Sequence, residues 1–491
     1  MLRIIASIGL VQSAGIAINV IRSKIFAVLL GPAGFGVVAT IDQLVMSVVQ
    51  ISNLSLPFTA MKFLSQSHSK GEGTFRRTYS FFFMAIALLA IVAMFVAVIA
   101  IPANLERFDP QLGAFREPVS MALLGISATM MLMFLVNVLA ARQASIQSVL
   151  LTVMSGAVIL IAGVAGCLLG GINGIYVATV LASSIFTVAV VVVFRYKLNL
   201  PVWSKSAGVW AALFADTNIV GITIWIYFSV ASASIQLLLA RYVVITHVSA
   251  EAAGLLQACL GISLSIGAIL GPANSLYFAP YVNRNIPASE KIVAADHFLP
   301  RLVLLYCVGG LLVLLFPEAV LTILFSRYFS AAASVLPWFV VWQCLYQAAN
   351  VYQQLLIGFD DARGYAAVTT AGNLVAAMLC ILLVGRYELH GIAVGFVVGA
   401  LTTALLTAVR LQTKHKLAVP KSALALVVFA IVGFSAVVAI GQLTAELTLI
   451  GLGIRFLTAG TFLAGLWLIL PNSLRTEIRA GMVAKLRTWT R

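Results

Sequence analysis

The chain has 491 residues, of which 62% are hydrophobic and 9% charged, and its formal net charge is +15. Soluble domains carry about 25% charged residues, so no water-soluble fold hides this much apolar surface. Composition excludes a soluble enzyme, a disordered chain, a collagen and a disulfide-rich secreted module, and leaves a polytopic membrane protein.

Apolar runs between polar breaks number fourteen. The first seven cover about 4–30, 35–60, 79–101, 118–140, 147–169, 174–194 and 217–240. The rest cover about 252–279, 299–324, 331–357, 365–384, 391–411, 422–442 and 451–470. Each is long enough to span about 30 Å of hydrocarbon. The runs are continuous rather than alternating, which favours helices over barrel strands. The expected fold class is an all-α polytopic membrane protein with about 14 transmembrane helices. The first run has one cation ahead of it, Arg3, and continues through Gln12, Asn19, Arg22 and Lys24 without a small-residue cleavage site. It reads as a retained helix rather than a signal peptide.

An even number of spans puts both termini on one side. With that side taken as cytoplasmic, only Arg22, Lys24, Arg107, Arg116, Arg241, Arg327, Arg386 and Arg455 fall elsewhere, so 22 of the 30 cations lie inside. That asymmetry is a strong positive-inside signal and implies cytoplasmic termini. The positive charge therefore reads as membrane orientation, with no nucleic-acid partner. Cys167, Cys259, Cys307, Cys344 and Cys380 all lie within apolar runs, without a CxxC pair, and read as inert packing thiols.

The chain resembles itself at an offset of about 217–219 residues. Gly174-Ile175-Tyr176-Val177 answers Gly391-Ile392-Ala393-Val394, and Arg195, Lys197, Leu198 and Pro201 answer Lys414, Lys416, Leu417 and Pro420. Gly36-Val37 answers Gly254-Leu255. Six helices separate the copies, so both enter the membrane from the same side, as a parallel repeat. The expected domains are an N-terminal six-helix lobe over 1–205, a second over 206–421, and two extra helices with a basic tail over 422–491. Two pseudo-symmetric six-helix bundles around a central cavity suit an alternating-access transporter better than a channel or an intramembrane enzyme.

Polar groups at membrane depth are functional candidates by default. In the first helix Gln12, Gly15, Asn19 and Arg22 are spaced 3, 4, 3, on one face. Lys24 lies about 200° round from Arg22. Arg22 either lines a cavity or snorkels to the outer interface. In the second helix Asp42, Gln43, Gln50 and Asn53 stand out. Asp42 either pairs with Arg22 or Lys24 as a structural bridge or carries a coupling proton. In the seventh, Ser229, Ser232 and Gln236 lie below Arg241, which sits near the repeat-equivalent of Arg22 and Lys24. Two cations from pseudo-symmetric positions can converge on an anion; an outer-interface arginine is the alternative. In the tenth, Gln343, Gln347, Asn350 and Gln354 are spaced 4, 3, 4. Amides both donate to and accept from sugar hydroxyls, and they also join helices.

Trp338, Trp342, Tyr346, Trp225 and Tyr227 read as packing or interface anchors rather than sugar platforms. Asp360-Asp361 with Arg363 reads as a solvated cytoplasmic turn, matched in the first repeat by a turn carrying Arg142. His247 and Glu251 are four apart with no further ligand, so no metal site is expected. There is no GxxxxGK[ST] phosphate loop and no HExxH. No catalytic residue and no cofactor is assigned, and the chain reads as a non-enzyme.

The run Lys24-Ile25-Phe26-Ala27-Val28-Leu29-Leu30-Gly31-Pro32-Ala33-Gly34-Phe35-Gly36 resembles the start of Wzx-type polysaccharide (O-antigen/exopolysaccharide) flippases of the MOP (multidrug/oligosaccharidyl-lipid/polysaccharide exporter) superfamily. The similarity continues through Gln43-Leu44, Lys62-Phe63 and Arg76-Arg77, then Leu324-Phe325-Ser326 with Phe329 and Leu336-Pro337-Trp338. A further stretch runs from Leu356-Ile357-Gly358 to Gly391-Ile392-Ala393. The resemblance implies a bacterial inner-membrane protein that moves undecaprenyl-diphosphate-linked oligosaccharide units from the cytoplasmic to the periplasmic leaflet. It implies a cationic cavity, to which Arg22, Lys24 and Arg241 are matched as the diphosphate site, and an opening between helices 1 and 8 or 2 and 7 for the lipid tail. Its partners would be the lipid-linked oligosaccharide, membrane lipids, and polysaccharide polymerase or export proteins. The competing readings are an ion-coupled multidrug exporter of the same fold, whose cavity should be apolar or acidic, and a membrane polysaccharide polymerase or ligase. The latter is expected to carry a large outer loop with catalytic Arg or His, whereas the longest outer loop here is about 102–117.

Overall fold

The computed structural model describes residues 2–108, 113–142, 144–201, 217–272, 274, 278–282, 286–443, 449–472 and 474–476. Much of the basic tail, with Arg479, Lys485, Arg487 and Arg491, lies outside them, as do Lys205 and Arg284. All regular secondary structure among the described residues is helical. In chain order the helices are α1 (Leu2–Ser52), α2 (Leu56–Ser69), α3 (Glu72–Phe108), α4 (Arg116–Leu123), α5 (Ile126–Ala141), α6 (Ser145–Lys197), α7 (Thr217–His247) and α8 (Ala250–Pro272). They continue with α9 (Ala279–Val282), α10 (Ala288–Leu315), α11 (Pro317–Leu324), α12 (Leu336–Gly358), α13 (Ala362–His415), α14 (Lys421–Leu443) and α15 (Leu449–Ile469). A 3₁₀ turn over Arg327–Ser334 precedes α12 and meets it at 62°.

Among the described residues, nine helices are long and apolar enough to cross a membrane, or ten if the bent pair over Arg327–Gly358 is one span. Side-chain exposure says what surrounds them. Leu88, Ile99, Leu169, Ile185 and Leu457 are 66%, 70%, 89%, 69% and 72% exposed. Water would penalise that surface at roughly 25 cal/mol per Å², whereas hydrocarbon does not. In hydrocarbon every backbone N–H and C=O must be satisfied within the segment, which is why these runs are helices.

Three helices are about twice the length of a span. α1, α6 and α13 have 51, 53 and 54 residues, and each is interrupted. α1 breaks at Gly31, at φ 66°, followed by Pro32. Glycine reaches that left-handed region without a Cβ clash, and proline suits the first turn of the segment that follows. α6 breaks at Gly170 and Gly171. α13 breaks at Glu388, at φ 47°, a conformation that strains a side-chain-bearing residue by about 1 kcal/mol or more. These breaks fall where the sequence places the ends of paired apolar runs. Elsewhere the boundaries move. The run expected over 35–60 ends at Ser52, where Asn53, Leu54 and Ser55 form a turn into α2. The run expected over 299–324 is divided into α10 and α11, with α10 starting eleven residues earlier.

The chain forms two compact units. The first comprises 1–258, 324–328 and 380–392; the second comprises 259–323, 329–379 and 393–491. In the first, α1 packs along α6 and α7, while α2, α3, α5 and the end of α6 share a core. Phe75, Tyr79, Phe82 and Phe134 are at most 1% exposed there, and the Tyr79 and Phe134 rings stack at 5.8 Å. The repeat-matched glycines Gly36 and Gly254 meet in this unit. A Cβ on Gly36 would strike the Ala250 carbonyl and the Gly254 amide nitrogen, and one on Gly254 would strike the Pro32 carbonyl. Backbone contact this close is the usual reason for small residues at membrane helix crossings.

In the second unit, α10 packs against α12, α14 and α15, and α14 packs on α15. The two arms of α13 approach at Gly372, where a Cβ would meet Thr403 Oγ1 and the Gly399 carbonyl.

Candidate functional site

α1 and α7 bring two arginines and one carboxylate together inside the first unit. Arg22 stands in the first arm of α1, its guanidinium 5.6 Å from the Phe26 ring centre. Its Nη2 donates to Asp42 Oδ2, on the second arm of the same helix, forming an ion pair. The break at Gly31 folds α1 back enough for residues 20 apart to meet. Both side chains are partly accessible, at 28% and 37%. Tyr176, on α6, donates its hydroxyl to the Val38 carbonyl at 3.0 Å and to Asp42 Oδ1 at 3.3 Å. The carboxylate is thus held from two helices.

Arg241, on α7, is more deeply placed, at 5% exposure. Its Nη1 donates to Gln43 Oε1 at 2.7 Å and its Nη2 to Gln257 Oε1 of α8 at 2.5 Å, while Nε has no partner among the described residues. Neutral amides orient this guanidinium without neutralising it. Gln43 Nε2 in turn donates to Ser47 Oγ at 3.2 Å. Further along the same pair of helices, Ser47 Oγ donates to the Ser234 carbonyl at 3.2 Å and Ser234 Oγ donates to Gln50 Oε1. Thr59 and Thr223 hydroxyls pair at 2.8 Å. A row of polar contacts therefore closes the seam between the second arm of α1, the start of α2, and α7, where the resemblance implies an opening.

The structure sorts the residues singled out from sequence. Arg22, Asp42, Gln43 and Arg241 belong to one local group, and Gln50 continues the seam. Asn19 and Lys24 occupy exposed positions of α1, and the Gln12 side chain lies outside the described residues. Gln236 is buried at 7%. Asn53 acts in the turn after α1, where its Oδ1 accepts from the Ser55 amide at 2.9 Å.

Gln343, Gln347, Asn350 and Gln354 lie on α12 in the second unit. Gln343 and Gln347 are buried at 2% and 9%, with both amide nitrogens against Gly267 of α8. Gln343 Oε1 has no partner among the described residues. Asn350 Oδ1 accepts from Gln354 Nε2 at 3.3 Å, a contact along the helix.

Tyr176 and Gln257 were not singled out from sequence. Gln257 is a lone polar residue in an apolar run, and Tyr176 lies within a repeat match; neither spacing marks a ligand.

One reading is overturned. Asp361 is 2% exposed rather than solvated. Its carboxylate accepts from Arg410 Nε at 2.8 Å, Arg410 Nη2 at 3.1 Å, Lys414 Nζ at 2.7 Å and the Gly364 amide at 3.1 Å, with His415 Nε2 at 3.2 Å. Burial alone would raise its pKa; the donors from Arg410, Lys414, His415 and Gly364 outweigh burial and hold it well below the usual carboxylate range. Arg410 and Lys414 come from the far end of α13, some 50 residues on, too distant in sequence for the local pattern to reveal. In the first unit, Arg142 Nη2 donates to Glu72 at 2.8 Å and stands 4.5 Å from the Phe75 ring centre.

No protein-family profile and no curated protein matches the chain. Solved structures match its fold. An inward-facing multidrug-resistance MATE family transporter of the MOP superfamily superposes with TM-score 0.67 at 14% identity, over 82% of this chain and 96% of that one. The lipid II flippase MurJ, in an inward closed conformation, gives 0.68 at 11% identity, over 94% and 97%. A MOP superfamily transporter from Pyrococcus furiosus, described as having a binding pocket of reverse polarity, gives 0.62 at 14%, over 83% and 95%. The class is thus defined: the chain is a multi-pass membrane protein with the fold of MOP superfamily transporters. Within that fold the matched proteins include both a multidrug-resistance transporter and a lipid II flippase, so the particular activity rests on the site.

Proposed function

We propose that the protein is a flippase for polyprenyl-diphosphate-linked oligosaccharides, moving them from the cytoplasmic to the periplasmic leaflet of a bacterial inner membrane by alternating access. The observation that carries this reading is the charge of the first-unit group. Arg22 and Arg241 supply two guanidinium groups against one carboxylate, and Arg241 is held by amides alone. A buried cation whose partners are neutral suits an anionic ligand. Guanidinium groups bind phosphate oxygens in bidentate fashion and replace the hydration that a diphosphate loses on leaving water. Lys24, at an exposed position of α1, is assigned to the diphosphate site through the resemblance alone, and Asp42 competes with phosphate for Arg22, which keeps binding moderate enough for release. Gln50, Gln236 and Asn19 on α1 and α7, with the α12 amides Gln343, Gln347, Asn350 and Gln354, are assigned to sugar hydroxyls or to coupling. Asn53 keeps a structural role in its turn.

The same reading has each of α1, α6 and α13 cross the membrane twice. Ten candidate spans then accommodate fourteen crossings once α15 is included. Both termini are cytoplasmic, and the division at 205 and 421 into two lobes and a C-terminal pair is carried with it. Polysaccharide polymerase and export proteins are the proposed partners.

The test is transbilayer movement in liposomes holding the purified protein, with a polyprenyl-diphosphate oligosaccharide, a cationic drug and an unmodified phospholipid as probes. Selective movement of the sugar lipid is expected. Movement of the drug alone would make the protein an exporter.

A further inference from the structure

A second cationic feature lies in the other unit. The two arms of α13 leave a groove of about 440 Å³ between them. Arg363, Ala367 and Ala371 are spaced four apart on the first arm and line one wall. Leu406, Val409 and Arg410 line the other. The groove is apolar along its length and has two arginines at one end. Leu406 and Val409 are 37% and 54% exposed, as suits a wall that meets hydrocarbon.

Asp361 fixes Arg410 at that end. It engages Nε and Nη2 of the guanidinium, and Nη1 takes no part in the pair. Asp361 itself is sealed at 2% exposure, whereas Lys414 remains 48% exposed and Arg363 is exposed. The negative charge faces inward and the positive charge outward, apart from exposed Asp360 beside it. Lys416 and Lys421 continue the exposed positive band. On the orientation proposed above, this end faces the cytoplasmic leaflet. Basic pockets between helices on that side are suited to anionic headgroups, and each Lys or Arg near an anionic surface contributes about 1 kcal/mol.

We propose that this groove binds an anionic phospholipid, with its phosphate between Arg363 and Arg410 and one acyl chain along Ala367, Ala371, Leu406 and Val409. The occupant is a lipid rather than free phosphate because the groove continues as an apolar channel beyond the arginines. The site does not depend on what the first-unit group carries.

The experiment titrates the purified full chain in detergent with phosphatidylglycerol, phosphatidylcholine and a polyprenyl diphosphate, reading bound lipid by native mass spectrometry. Arg363→Gln removes one positive charge from the phosphate site, and Ala371→Phe fills the groove without changing charge. Melting temperatures without lipid establish that both variants fold. Phosphatidylglycerol is expected to bind more tightly than phosphatidylcholine, to lose about fivefold in affinity in Arg363→Gln, and to lose at least as much in Ala371→Phe. Wild-type affinity in both folded variants would overturn the proposal, as would equal binding of phosphatidylcholine, which marks annular lipid only. Displacement of phosphatidylglycerol by the polyprenyl diphosphate, with the diphosphate's binding weakened in both variants, would also overturn it and assign the groove to substrate.

Discussion

The two charged clusters use the same side-chain chemistry to opposite ends. In the first unit, Arg22 pairs with the partly accessible carboxylate of Asp42, and Arg241, buried at 5%, leans on amides. In the second, one buried carboxylate is saturated by an arginine, a lysine, a histidine and a backbone amide. In the first a buried cation has amide partners, whereas in the second it is the carboxylate that is satisfied, and Arg410 Nη1 takes no part in that pair. A saturated anion ties helix ends together, whereas an under-neutralised cation inside an apolar bundle costs solvation unless a ligand repays it. Which charge is buried, a satisfied anion or a cation with neutral partners, separates the two clusters more than the presence of charge does.

The largest expected effect falls on the first cluster. Each hydrogen bond to a charged group is worth about 1.5–3 kcal/mol, so Arg241→Ala should lower transport about tenfold to a hundredfold. The Arg22→Ala, Arg241→Ala double variant should abolish it at normal membrane levels, as read by sugar-lipid movement in liposomes. Full activity in that variant would reduce the first cluster to a structural pair like the second.

The mirror experiment removes the second cluster. Asp361→Ala leaves Arg410, Lys414 and His415 facing one another and uncaps the Gly364 amide. It should cost about 2–3 kcal/mol in thermal stability, less than a fully buried pair because Arg410 and Lys414 are partly solvated. Specific transport per folded molecule should stay within about twofold. The cluster also sets an acid limb. The Asp361 pKa is depressed on folding, so its stabilisation is complete above the ordinary carboxylate range and is lost as pH falls from about 4 toward the folded value. Asp361→Asn should flatten that part of the stability–pH curve.

How much of this was legible in the sequence follows the range of each interaction. Hydropathy acts over a few residues and marks the apolar runs, whose ends flank the breaks at Gly31, Gly170-Gly171 and Glu388; that α1, α6 and α13 each join two runs is seen only in the structure. Asp42 pairs with Arg22, one of the alternatives its sequence context leaves open, since both lie on one hairpin. Arg241 was matched to Arg22 through the repeat, but its fixing by Gln43 and Gln257 needs helices 198 and 16 residues away in sequence to meet. Asp361 was misread because its partners arrive from residues 49 to 54 positions on. Asn53 was read as a membrane polar group because hydropathy does not show that the helix stops one residue earlier.

Two smaller effects sharpen the contrast. Gly36→Ala should destabilise the first unit by about 1–3 kcal/mol, because the added Cβ meets backbone that cannot rotate away. A melting curve in detergent reads it, and an unchanged curve would loosen the α1–α8 contact. Tyr176→Phe removes one hydroxyl from Asp42 and should change transport only a few-fold, since a neutral hydrogen bond is worth about 0.5–1.5 kcal/mol.

The central claim is that the first cluster is a diphosphate site restrained by its own carboxylate. The most direct measurement is the affinity of a sugar-free polyprenyl diphosphate for the wild type, Arg241→Ala and Asp42→Asn. The account predicts a loss of about tenfold or more in Arg241→Ala. It predicts a gain in Asp42→Asn, where Arg22 no longer has a carboxylate to prefer. Unchanged binding in Arg241→Ala, or weaker binding in Asp42→Asn, would contradict it.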